Sequence, residues 1–200
     1  SGAGGGSRGA DDWGAFGRLC FAIFGRSIMM CGMNTFLALY WIHELGQTER
    51  AGSAMLSVYY AMGAICTLIG GRLADRFGCR RMTKISIAMF IPSVLLLVFT
   101  RNTFIAAALM LPIVASIYFS YSPVVVLGQQ YLPNHVGFAS GVTLGLAISI
   151  GGIMAPVLGM VADRFGLPAA FCTMAAIALI PLAASFTLKP TEDEKPAQRA

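Results

Sequence analysis

Charge is what this sequence has least of. Only 12% of its 200 residues are Asp, Glu, Lys or Arg, against about 25% in an ordinary soluble domain. Hydrophobic residues make up 56% of the chain and the mean hydropathy is +0.72. A surface of this composition does not face water over most of its area. Acidic residues are missing from the middle of every long apolar run: Glu44 and Asp163 stand at run ends, Asp75 in a break, and Glu192, Asp193 and Glu194 in the tail. Paired cysteines are missing as well. Cys20, Cys31, Cys66, Cys79 and Cys172 are scattered, four of them inside apolar runs, where a thiol behaves as a small hydrophobe. Neither a disulfide framework nor a zinc or other metal site is indicated, and no cofactor is expected. The cations form no stripe interleaved with aromatics, which argues against a nucleic-acid partner. The chain also opens without Met, on Ser1-Gly2-Ala3-Gly4-Gly5-Gly6-Ser7, a flexible-linker composition. Residues 1–12 are therefore expected to be the end of an interdomain loop or a cloning remnant, and the chain a fragment of a longer one.

What is present is a series of apolar runs separated by short polar breaks. A helix that crosses the hydrocarbon of a bilayer needs about 20 mostly apolar residues, and only structures that pair every backbone group internally can do so. The runs predict an all-α membrane protein with six transmembrane helices, at about 16–42, 54–73, 85–100, 104–127, 138–161 and 169–187, within a bundle covering 13–188 and followed by a cytoplasmic tail at 189–200. The third and sixth runs carry few polar residues and are expected at the lipid-facing periphery.

Lys and Arg set the orientation. One set of ends carries Arg8, Arg18, Arg72, Arg76, Arg80, Arg81, Lys84, Lys189, Lys195 and Arg199; the other carries Arg50, Arg101 and Arg164. The positive-inside rule places the first set, and with it both termini, in the cytoplasm. Tyr40 and Trp41 fall at the outer end of the first span, where interfacial aromatics are expected.

The second and fifth spans end on one word. Gly71-Arg72-Leu73-Ala74-Asp75-Arg76-Phe77-Gly78 and Gly159-Met160-Val161-Ala162-Asp163-Arg164-Phe165-Gly166 both read G-x-[LV]-A-D-R-F-G. Each word closes the middle helix of a three-helix unit. Three is odd, so the two units are expected to cross the membrane in opposite directions, as inverted-topology repeats do.

The stretch Gly71 to Arg81 resembles the loop signature of the major facilitator superfamily, G-x-L-A-D-R-x-G-R-R-R, with Cys79 in place of a basic residue. The resemblance implies half of a twelve-helix transporter, the C-terminal half, with this loop joining its eighth and ninth helices. It also implies a gating role for Gly71, Asp75, Arg76, Gly78, Arg80 and Arg81. Val126 to Gly137, continuing through Ala139 to Ala147, is similar to a loop and the eleventh helix of fosmidomycin-resistance efflux proteins. Those move a small anionic phosphonate antibiotic outward against protons. Members carry an acidic residue where this chain has Gln130, so a charge role there does not carry over.

Arg26 lies several residues inside the first span, among Phe24, Ile28 and Met29. A charge at the centre of a spanning helix costs about 2.5 kcal/mol or more. It therefore either faces a watery cavity or snorkels to the headgroups. In a cavity, its fork suits a phosphonate or carboxylate. Asn34 stands two turns further on, and Tyr118, Tyr121 and Ser122 share one side of the fourth span; each is a candidate for lining a substrate cavity or for packing, as are Tyr59 and Tyr60. In the fifth span Gly137, Gly141, Gly145 and Ser149 recur every fourth position, a stripe that lets another helix approach closely.

The expected function is secondary active transport by alternating access: proton-coupled efflux of a small anionic, fosmidomycin-like antibiotic. Uptake or exchange of an organic anion on the same fold is the alternative, and a non-transporting membrane scaffold a third reading. An intramembrane protease fails on spacing: Ser140 sits in Gly137-Phe138-Ala139-Ser140-Gly141, and His43 and His135 lie at span ends. The chain is not read as an enzyme. Its expected partners are the N-terminal six-helix half, a small-molecule substrate, protons and the lipid of a bacterial inner membrane. Any carboxylate relay for protons is expected in that N-terminal half, with His43 a minor alternative.

Overall fold

A computed structural model describes residues 11–186; the Gly/Ser opening through residue 10, Thr187 and the tail expected at 189–200 lie outside the described residues. The described chain holds seven helices: α1 (Trp13–His43), α2 (Glu49–Phe77), α3 (Cys79–Phe99), α4 (Thr103–Tyr118), α5 (Tyr121–Tyr131), α6 (Val136–Phe165) and α7 (Leu167–Phe186). Taken as one span, Thr103–Tyr131 joins α1, α2, α3 and α6 in being long and apolar enough to cross a membrane, and α7 contributes the shorter apolar stretch Leu167–Ala183. Over the described residues the six expected spans fall on these helices.

The fourth span differs from its expected form, because it is broken between α4 and α5 at Phe119 and Ser120. Proline explains the break. Pro123 has no N–H to give the carbonyl of Phe119, and its ring crowds that carbonyl. Beside the break Ser120 Oγ donates to the carbonyl of Ile117 at 3.1 Å. Gly70 of α2 seats directly on the break; a side chain there would come within 2.6 Å of Phe119 Cα.

The expected loops also shrink. Asp75, Arg76 and Phe77 belong to the last turn of α2, and Asp163, Arg164 and Phe165 to the last turn of α6. Each turn is closed by one glycine. Gly78 has φ +88° and Gly166 φ +86°, a region that side chains rarely adopt. Their N–H groups donate to the carbonyls of Ala74 and Ala162 at 2.8 and 2.9 Å, and the next helix starts at once. The matching words therefore encode matching helix-to-helix corners.

α1 runs through the centre. It packs along α6 and α7, while α4 and α5 pack along α2 and α3, and α3 packs on α7. Ile28, Met33, Phe36 and Leu37 of α1 meet Phe90 and Val94 of α3, Met110 and Val114 of α4, and Phe171 and Met174 of α7 in one buried core. α3 and α7, expected at the periphery, also supply this core, although Phe99, Leu179 and Ile180 stay exposed. Tyr40 and Trp41 are buried and do not sit at a lipid interface. Tyr40 donates its hydroxyl to the Leu97 carbonyl at 2.7 Å and meets the Phe171 ring edge-on at 5.1 Å.

Both ends of α1 are tied down. Asp12 caps the first turn through Ala15 N–H at 2.9 Å, and its own N–H donates to the Tyr131 carbonyl at 2.8 Å. Asp11 accepts from Asn134 N–H at 3.1 Å and pairs with His135 at 2.9 Å. Partial desolvation pushes the Asp11 carboxyl up, but these partners outweigh it and hold its pKa below the ordinary value. At the far end Glu44 pairs with Arg101 at 3.2 Å. The start of α1 thus meets the end of α5, and the end of α1 meets the connection into α4. The first and fourth spans are antiparallel.

The two corner glycines give a stability test. Gly78→Ala and Gly166→Ala force a side chain into positive φ and should each cost about 1–3 kcal/mol, read as lowered Tm of the purified protein.

Candidate substrate cavity

Arg26 is buried at 3% exposure, so it does not snorkel. Its Nε and Nη1 have no hydrogen-bond partner. A guanidinium stays protonated at any physiological pH, so the charge persists at this depth. The ring of Tyr121 lies against it, 4.9 Å from the guanidinium carbon to the ring centroid. A cation–π contact of this kind offsets part of the burial cost, on the order of 0.5–2 kcal/mol. The break ahead of Pro123 makes Tyr121 the first residue of α5 and so sets the ring beneath the charge.

Arg26 opens onto a cavity of about 240 Å³ between α1, α5 and α6. Asn34 and Tyr121 line it too, and the opposite wall comes from Leu144, Ala147, Ile148, Gly151 and Gly152. Asn34 Oδ1 is buried without a partner. Among the described residues no Asp or Glu lines the cavity. The wall is held close by two side chains of α1: Ser27 Oγ donates to the carbonyl of Ala147, and Cys31 Sγ donates to the carbonyl of Gly151 at 2.9 Å. Gly151 permits the approach, since a methyl there would stand 3.0 Å from Cys31 Cβ. This assembly presents an unpaired cation, an amide and an aromatic face to a mostly apolar space. It can receive a small anion.

Two of the expected cavity residues sit elsewhere. Tyr118 packs on Gly63 of α2 and meets Tyr59 edge-on at 5.7 Å, and Ser122 lies against Gly71. Sequence reasoning missed Ser27 and Cys31 as wall residues, although both follow Arg26 on the face that carries Asn34. Tyr59 was weighed only as an equal of Tyr60. It proves fully buried against the Tyr118 ring, whereas Tyr60 is exposed.

The residues expected to gate gather at the α2–α3 corner. Asp75 and Arg76 are exposed, and Asp75 has no ion pair among the described residues. Arg76 lies over the ring of its neighbour Phe77. Gly71 lies one turn earlier, at van der Waals distance from Ser122. Arg80 and Arg81 begin α3. The stripe of Gly137, Gly141, Gly145 and Ser149 is exposed along α6, and side chains added at its three glycines would meet nothing within 4 Å.

The family model described as the Major Facilitator Superfamily matches residues 19–200. The chain belongs to the Major Facilitator Superfamily. It is 32% identical over 163 residues to an uncharacterised MFS-type transporter, YfnC, of Bacillus subtilis (strain 168), covering 82% of this chain and 39% of that protein. It is 28% identical over 148 residues to the fosmidomycin resistance protein of Escherichia coli (strain K12), covering 73% of this chain and 36% of that protein. The chain thus spans well under half the length of these relatives. Its fold matches a crystal structure of the Major Facilitator Superfamily transporter FucP in the outward conformation, with a TM-score of 0.78 and 21% identity over 88% of this chain and 43% of that one. Family and fold together make this an integral membrane protein of a transporter superfamily and not an enzyme.

An unpaired buried cation should weaken the fold while serving the site. Arg26→Met should therefore raise Tm, by the equivalent of about 1 kcal/mol or more, in a thermal melt of the purified protein. A lower Tm would mean that the charge is structural.

Proposed function

We propose that the chain is the C-terminal half of a secondary active transporter that works by alternating access and exports a small organic anion, fosmidomycin-like in chemistry, in exchange for protons. The observation that carries this reading is the Arg26 guanidinium, buried, its Nε and Nη1 unpaired, and open to a cavity that no carboxylate of the described residues lines. Such a charge is costly unless something supplies the missing anion, and a phosphonate or carboxylate can do so through two parallel hydrogen bonds. Asn34 would donate or accept beside it, and Tyr121 would bound the ligand from below. Efflux and a phosphonate substrate draw their support from the relative named for fosmidomycin resistance.

The internal symmetry supports two inverted three-helix repeats, α1–α3 and α4–α7. Exchanging the two units maps the packing of α1 on α6 and α7 onto that of α4–α5 on α2 and α3, and leaves the α3–α7 packing in place. Gly63 and Gly151 hold the same place relative to the two A-D-R-F-G words, and each admits a first-span neighbour, Tyr118 or Cys31. The N-terminal six-helix half is assigned to the exposed faces of α2 and α6, where the small-residue stripe lies. The basic α2–α3 corner, and with it both termini, is assigned to the cytoplasm of a bacterial cell. There Asp75, disfavoured at a helix C-terminus, can instead hold the N-terminus of a helix from the other half and gate the cytoplasmic mouth. Proton coupling is assigned to a carboxylate of that N-terminal half.

Uptake or exchange of an organic anion uses the same site with the opposite flux. A test separates these readings. Cells expressing the full-length protein should tolerate fosmidomycin, and everted vesicles should accumulate it when their lumen is acidified. Arg26→Ala should abolish both, and Arg26→Lys should retain a part. Accumulation only in right-side-out vesicles would favour uptake. Protection by Arg26→Ala equal to the parent's would remove Arg26 as the anion site, and a protein that moves no anion in either direction would be a scaffold.

A further inference from the structure

The cavity beside Arg26 carries polar groups at two levels, and the two ask opposite things of a ligand. At the first stands the guanidinium, 3% exposed, with Nε and Nη1 unpartnered; it can only donate hydrogen bonds. The second lies further along α1 and α6. Ser27 Oγ reaches the carbonyl of Ala147, and Cys31 Sγ that of Gly151. The two helices therefore run parallel and in step, four residues on one for four on the other. One turn past Cys31, Asn34 stands level with the turn of α6 that follows Gly151. Asn34 Oδ1 is buried without a partner. On α6, Pro156 lies inside the helix and has no N–H to return to the carbonyl of Gly152, four residues back. Helix carbonyls point toward the C-terminus, so this one points toward the level of Asn34. Gly152 lines the cavity, and a side chain there would meet nothing within 4 Å, so the backbone is open at this point. From Arg26 to Asn34 the helix rises about 12 Å, and Met30, Leu144 and Ile148 line the space between.

We propose that the second level is a subsite for a neutral hydrogen-bond donor, and that the ligand is an organic anion with an O–H group, hydroxyl or hydroxamate, at the far end of a short apolar chain. The proposal rests on the reading of Arg26 as the anion site. The anion takes the guanidinium, the chain lies along Met30, Leu144 and Ile148, and the O–H donates to Asn34 Oδ1 or to the Gly152 carbonyl. An acceptor shut away from water without a donor is costly, so a ligand that ends in a methyl group binds at a penalty. A second carboxylate or phosphonate brings acceptors to acceptors. An ammonium donates well, but it carries a cation into a cavity that already holds Arg26 and that no carboxylate of the described residues lines. A neutral O–H meets the acceptors without adding charge.

The test is calorimetric titration of the purified full-length transporter with ω-hydroxyalkylphosphonates over a range of chain lengths. Each is matched by the phosphonate that carries a methyl or an ammonium group in place of the hydroxyl. At the best-fitting length the hydroxyl compound should bind at least about fivefold more tightly than its methyl match, and more tightly than its ammonium match. Asn34→Leu should erase most of that preference and leave the affinity for the methyl compound unchanged. Pro156→Ala, which returns an N–H to the Gly152 carbonyl, should reduce the preference in a protein whose cavity lining is otherwise intact. Equal affinity for hydroxyl and methyl compounds at every length overturns the proposal, as does tighter binding of the ammonium compound or a preference that survives both substitutions. Arg26→Met separates the subsite from the reading beneath it. If that substitution weakens every phosphonate while the parent shows no preference for the hydroxyl, the anion site stands and the donor subsite falls. If it leaves every affinity unchanged, the anion site falls and the donor subsite with it.

Discussion

Arg26 keeps a full positive charge in the body of an apolar helix with no carboxylate beside it among the described residues, and the local structure is arranged around that charge. Tyr121 must lie against the guanidinium, which requires the fourth span to break; Pro123 breaks it, and Gly70 makes room for the break. α6 must stand close enough to wall the cavity without filling it, which requires Gly151 opposite Cys31. The hydrogen bonds of Ser27 and Cys31 to the α6 backbone then fix the wall by groups that carry no charge of their own. Had a carboxylate been placed there, the site would be satisfied and closed to an incoming anion.

The same economy of polar groups governs the corners. A bundle in lipid leaves no irregular backbone unpaired. Gly78 and Gly166 turn one spanning helix into the next within a single residue while still donating their N–H groups backward. The corners project the exposed Asp75–Arg76 and Asp163–Arg164 pairs from helix ends. Meanwhile α2 and α6 leave long apolar faces uncovered, and stability of those faces depends on whatever covers them, lipid or protein.

Much of this was legible in the residues. Uniform hydrophobicity located the apolar helices, five of them long enough to cross a membrane and α7 shorter, and the rarity of charge within them singled out Arg26. The repeated word gave the two matching corners, because glycine in both final positions reports a backbone conformation that other residues resist. Other features were not legible. The Pro123 break was hidden because four other prolines, Pro92, Pro112, Pro156 and Pro181, lie inside unbroken helices; only the neighbouring contact of Gly70 distinguishes the one that interrupts. Tyr118 and Ser122 share a side with Tyr121 on an ideal helix, but the break rotates them away toward α2. Ser27 and Cys31 were silent because their role is to a backbone carbonyl 120 residues away. Tyr40 and Trp41 fitted the interfacial pattern, yet tertiary packing took both into the core.

Equilibrium binding of fosmidomycin to the purified full-length protein, with no gradient applied, tests the central claim most directly because it separates recognition from transport. A charge-assisted hydrogen bond contributes about 1.5–3 kcal/mol, equivalent to roughly 10- to 100-fold in Kd. The account predicts that Arg26→Met weakens binding by at least that factor while the protein remains folded. Unchanged affinity in a folded Arg26→Met protein would contradict it.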